Sequence, residues 1–106
     1  MPKRDPDLLL ADIHEAIERI SRYTKSLDFE AFLADEKTID AVVRNLEIIG
    51  EAVKRLPKAY TEATPTVPWQ QVAGLRNRIV HDYFGLDLSI IWQVIQVDLP
   101  TLQKHL

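Results

Sequence analysis

Between Gly74 and Gly85 the chain reads "GLRNRIVHDYFG", placing two arginines, an Asn, a His, an Asp and a Tyr within eight consecutive residues. These side chains can do chemistry. An arginine presents a permanently charged planar fork that matches phosphate oxygens. A histidine titrates near neutrality and can take or give a proton. Asn77 and Tyr83 add hydrogen-bonding groups. Together Arg76 and His81 suit cleavage of an RNA phosphodiester without a metal. The imidazole would act on the ribose 2′-hydroxyl or on the leaving oxygen, and the guanidinium would offset the growing phosphate charge. The same residues also have a plain structural reading. A histidine in a last helical turn interacts well with the helix dipole, Arg78 and Asp82 have i,i+4 ion-pair spacing, and Arg76 can snorkel from a core edge.

The elements that must position these groups follow from hydrophobic periodicity. One helix is expected from about Pro6 to Lys25, capped by Asp5, with Leu10, Ile13, Ile17, Ile20 and Tyr23 as its apolar stripe. A short helix or turn follows at "DFEAFLA". A second long helix is expected from about Glu36 to Leu56, with Ile39, Val42, Val43, Leu46, Ile49, Val53 and Leu56 on one face. Pro57 ends it, and "KAYTEATPTVP" reads as a surface loop. A third long helix is expected from about Pro68 to Tyr83, with Gly85 where a helix commonly stops. Asp87 caps a fourth, "LSIIWQVIQVDL", which Pro100 should kink or break. The expected fold is all-α: an antiparallel up-and-down bundle of four main helices plus a short one, in a single domain over residues 1–106.

On the third helix, Val72, Leu75, Ile79 and Tyr83 form a core-facing stripe with Arg76 at its edge. Five residues of helix place His81 about 140° from Arg76. A bend at "HDYFG", or a second subunit facing the first, would bring the two together. A symmetric dimer would also supply two histidines, one as acid and one as base. Gly50 and Gly74 fall inside expected helices, as a tolerated cost of roughly 1 kcal/mol each or as points of close backbone approach. Asp40, Arg44, Glu47 and Glu51 form a charged stripe, either solvated or with Glu47 or Glu51 facing the arginines.

Composition narrows the classes. With 46% hydrophobic and 27% charged residues, the 106-residue chain is a globular one with a single core. Its formal charge of −3 argues against a broad polyanion-binding face and leaves room for a confined site. It has no cysteine, hence no disulfide or thiolate chemistry, which fits the cytoplasm. No apolar run approaches a membrane span, and aspartates interrupt the N-terminal apolar stretch, so no signal peptide is expected. His14 with Glu18 offers two ligands, too few for a metal, and the terminal His105 is given no role. Trp69 and Trp92 read as core or interface aromatics.

"RNRIVHDY" is an Arg-x4-His-x-Tyr arrangement. With "DAVVRNLEIIGEAVKRL" before it, a proline-containing loop, then "VPWQQVAGLRNRIVHDYFGLD" and "IIW", it resembles the HepT-like toxins of the HEPN superfamily over nearly the whole chain. The resemblance implies a helical bundle that dimerises with both motifs lining one cleft. It implies a metal-independent endoribonuclease needing no cofactor, with Arg76 and His81 catalytic and Asn77 supporting, and Arg78 and Tyr83 beside them. It also implies an RNA substrate and a nucleotidyltransferase antitoxin that transfers AMP to Tyr83. The alternative is a non-catalytic helical subunit that docks a nucleotide or a nucleotidyltransferase in the same cleft.

Overall fold

The computed structural model describes residues 5–79 and 85–106, and within them every regular element is helical. The long helices are α1 (Pro6–Thr24) and α3 (Glu36–Arg55). Between and after them come α2 (Phe29–Leu33), α4 (Lys58–Ala63), α5 (Trp69–Ala73) and α6 (Leu75–Ile79). The last rod is α7 (Leu88–Gln93), a π-helical turn (Val94–Asp98) and α8 (Leu99–His105). Among the described residues no helix is long and apolar enough to cross a membrane.

Aspartates start the helices. Asp5, Asp28, Asp35 and Asp87 each accept a hydrogen bond from a backbone N–H of the first turn, satisfying donors that have no partner within the helix. Asp35 also accepts from the Thr38 hydroxyl at 2.7 Å. That bond and the Thr38 backbone N–H hold its carboxyl below the usual carboxylate range.

The core is one continuous layer system centred on α3. Ile39, Val42, Leu46, Ile49, Val53 and Leu56 are buried as their spacing requires, and Val43 is half-buried. Each such side chain contributes about 1.5–3 kcal/mol when fully removed from water. Leu9 lies beside Ala52 and Arg55, and Arg19 beside Asn45, so α1 runs antiparallel to α3. The buried face of α1 is rotated slightly from the expected stripe. Leu9 and Thr24 are buried where Leu10 and Tyr23 were expected, Leu10 is half-buried, and Tyr23 is exposed. The Thr24 hydroxyl is satisfied by donating to the Ile20 carbonyl at 2.8 Å, so its burial is inexpensive.

Three expectations are corrected. The segment after Pro57 is not wholly loop, because α4 begins directly after it. A proline with φ −59° needs no N–H at a helix start, and its carbonyl accepts from Tyr60 and Thr61. No α4 residue is buried, which explains the missing periodicity. The third helix is not continuous either. Gly74, at φ −92° and ψ 13°, interrupts it between α5 and α6, and everything from Val80 to Phe84 lies outside the described residues. Finally, of the kink or break expected at Pro100, the break does not occur. The turn before it widens, the Leu99 N–H reaches the Val94 carbonyl five residues back, and α8 continues.

Both tryptophans are packing residues, as expected. Trp92 meets Phe32 and Phe29 at centroid distances of 5.1 and 5.9 Å, docking α2 onto α7. Trp69 packs edge-on against Tyr60 and donates its indole N–H to the Thr64 carbonyl at 2.9 Å.

Gly50 is a point of close approach. A Cβ there would stand 3.4 Å from the Ala73 carbonyl oxygen and 3.5 Å from that of Val72. A methyl group just fits, and anything larger must push α5 away. Gly50→Ala is therefore expected to change unfolding free energy by less than ~1 kcal/mol, since helix propensity offsets the tight contact. Gly50→Leu should destabilise by roughly 2 kcal/mol or more through overpacking. Urea denaturation of both variants checks this.

Candidate active site

Arg76 and Arg78 are set two residues apart on α6, so about 200° of helix separates their directions. The stripe that fixes α6 and α5 against the core is Val72, Leu75 and Ile79, all buried as expected. With that stripe inward, Arg76 and Asn77 are exposed. Arg76 overhangs a shallow hollow of about 90 Å³ shared with Glu47, Glu51 and Lys54 of α3, and floored by Gly50 and Ala73. The close approach at Gly50 therefore also sets how near Arg76 sits to α3.

Among the described residues Arg76 has neither a hydrogen bond nor an ion pair. It is an exposed guanidinium with its donors available, as an incoming phosphate would need. Glu51 is engaged by Lys54 at 3.5 Å, and Glu47 shares the hollow without an ion pair among the described residues. Thus the charged stripe of α3 is solvated, and Glu47 and Glu51 line the Arg76 hollow as the second reading had it. Neither bonds the guanidinium, so the expected orienting of the arginines is not seen among the described residues.

Arg78 faces a different wall. Its Nη1 donates to Asp98 Oδ2 at 3.0 Å, with both side chains about a third exposed (36% and 35%). The i,i+4 pairing with Asp82 falls outside the described residues, as do His81 and Tyr83. The structure thus leaves Arg76 and Asn77 exposed and holds Arg78 against Asp98. Asp98 and Lys54 escaped the sequence reading. Asp98 lies twenty residues beyond its partner, so no local spacing announces it. Lys54 is one of thirteen Lys and Arg residues, and only the fold places it near Arg76.

A helical bundle that exposes the arginine of an Arg-x4-His-x-Tyr motif on its surface is the architecture of a HEPN-type ribonuclease domain. The chain belongs to the ribonuclease HepT-like family, whose model matches residues 13–106. Its relatives include the protein named "Probable ribonuclease HepT" in Thermococcus cleftensis. The two are 44% identical over 101 residues, which is 95% of this chain and 92% of the relative. A protein of Methanocaldococcus jannaschii named "Putative RNase" is 40% identical over 105 residues, covering 99% of this chain and 87% of its own. Another of that name, from Caldanaerobacter subterraneus subsp. tengcongensis, is 41% identical over 102 residues, covering 96% and 91%. No solved structure gave a significant match.

Glu47 and Glu51 compete with any phosphate for the field of Arg76. Replacing both by Gln is expected to tighten binding of an uncleavable RNA about two- to fivefold at low salt, an advantage that fades as salt screens it. Fluorescence anisotropy at low and at high salt measures this.

Proposed function

We propose that this protein is a metal-independent endoribonuclease whose site is completed by a second copy of the chain. The observation that carries the reading is the exposed guanidinium of Arg76, without a partner among the described residues, at the motif position of a ribonuclease HepT-like chain. Arg76 binds the scissile phosphate. His81 of one subunit takes the proton of the ribose 2′-hydroxyl as the O2′–P bond forms. His81 of the other protonates the departing O5′ as the P–O5′ bond breaks, leaving a 2′,3′-cyclic phosphate and a 5′-hydroxyl. Arg76 is worth most in the transition state, where charge accumulates on the phosphoryl oxygens. Asn77, exposed beside Arg76, supports the phosphate or the sugar.

Dimerisation is supported by stoichiometry. One chain has three histidines, of which only His81 lies in the motif, whereas acid–base cleavage uses two proton-transfer groups. The −3 net charge fits a confined cleft rather than a broad RNA-binding face.

The activity belongs to a toxin–antitoxin pair acting in the cytoplasm. The partner is a nucleotidyltransferase that joins the AMP of ATP to the Tyr83 hydroxyl, releasing pyrophosphate. The added phosphate occupies the cation of the cleft and repels the RNA backbone.

Arg76→Ala and His81→Ala are each expected to lower the cleavage rate by at least ~100-fold, while size-exclusion chromatography still shows a dimer. A doubly substituted protein that cuts RNA as fast as wild type would overturn the assignment. RNA binding without cleavage by wild type would instead favour the non-catalytic subunit. Tyr83→Phe should remain active and continue to arrest growth when the nucleotidyltransferase is co-expressed, whereas wild type should be silenced.

A further inference from the structure

Arg78 belongs to the motif segment, yet its charge is spent on Asp98 at the end of the π-helical turn. Three observations give this pair a purpose. First, among the described residues it is the ion pair that joins α6 to the last rod, and it spans twenty residues of chain. Second, α6 has only five residues, anchored by the buried Leu75 and Ile79. Two aliphatic side chains tolerate a small roll of such a short segment, because apolar contacts are non-directional. The 3.0 Å bond from Arg78 Nη1 to Asp98 Oδ2 is directional and favours one setting of the segment, alongside the Asp87 N–H that donates to the Ile79 carbonyl at 2.8 Å. Third, the wall behind Arg78 is a mostly apolar groove of about 260 Å³ between α5, α6 and the last rod, so packing leaves room for movement there.

The position of Asp98 comes from the widened turn. Pro100 has no N–H to donate, the Leu99 N–H bonds the Val94 carbonyl, and Asp98 closes the π-helical stretch facing α6. Arg76 is nearly opposite Arg78 around α6, so a roll that moved one would swing the other by the same angle.

We propose that Asp98 is a positioning residue for RNA cleavage. Through Arg78 it fixes the angle at which α6 presents Arg76, and Arg78 is a clasp rather than a phosphate ligand. The inference rests on the ribonuclease reading for its kinetic consequence and on the Arg78–Asp98 contact for the clasp.

The test uses the full chain with Asp98→Asn, Arg78→Gln and the double variant. Each single change is expected to lower kcat about tenfold with KM within about twofold, since a small misplacement is paid in the transition state. The double variant should be no worse than either single one, because both break the same bond. Asp98→Glu should recover part of the loss. Amide hydrogen exchange over residues 75–79 should quicken in Asp98→Asn. The proposal fails if Asp98→Asn lowers KM, as release of Arg78 to the substrate would. It fails equally if Arg78→Gln raises KM alone, if the losses multiply, or if only the melting temperature drops. Should wild type leave RNA uncut, the ribonuclease reading fails, while unchanged exchange over 75–79 would separately refute the clasp.

Discussion

The approach of α5 to α3 at Gly50 sets the geometry on which the candidate site depends. Helix backbones usually stand 8–10 Å apart, held off by the side chains between them. Here the carbonyls of Val72 and Ala73 come within van der Waals reach of where a Cβ would project. The segment that follows is thereby laid low over α3, and Arg76 comes to share a hollow with Glu47, Glu51 and Lys54. The buried stripe of α3 supplies the cohesion and the missing side chain supplies the proximity. Anything larger than alanine at that position would lift α5, and Arg76 with it, away from α3.

This arrangement explains a tension in the charge pattern. A site for a polyanion would seem ill-served by two carboxylates beside its arginine. Yet among the described residues Arg76 has no ion pair to lose when a phosphate arrives, and solvated carboxylates weaken distant, unselective attraction more than close contact. The result is a cation that acts at short range in a chain that is acidic as a whole.

The sequence made the long elements legible because their signals are local and redundant. α1 and α3 carry both a capping aspartate and several turns of apolar spacing, and both formed nearly as expected. α4 was hidden because none of its residues is buried, so it has no stripe to read. The break at Gly74 and the widened turn before Pro100 depend on where single backbone hydrogen bonds go, which spacing does not encode. At the site, residue types announced the arginine and its neighbours. The motif spacing singled out Arg76, but it could not show that Arg78 bonds Asp98, which lies far along the chain. His81 and Tyr83 remain readings of the sequence.

The π-helical turn also limits how the C-terminal rod can be altered. It accommodates one more residue per turn than an α-helix, and Leu99 and Leu102 beyond it are buried. The wider turn absorbs that residue, so those leucines keep their inward direction. Restoring a donor at position 100 would leave the count unchanged, whereas removing one residue from the bulge would turn its i→i+5 bond into the i→i+4 bond of an α-helix and leave the leucines beyond it facing inward. The rod should thus tolerate the loss of a position within the bulge more readily than one elsewhere along its length.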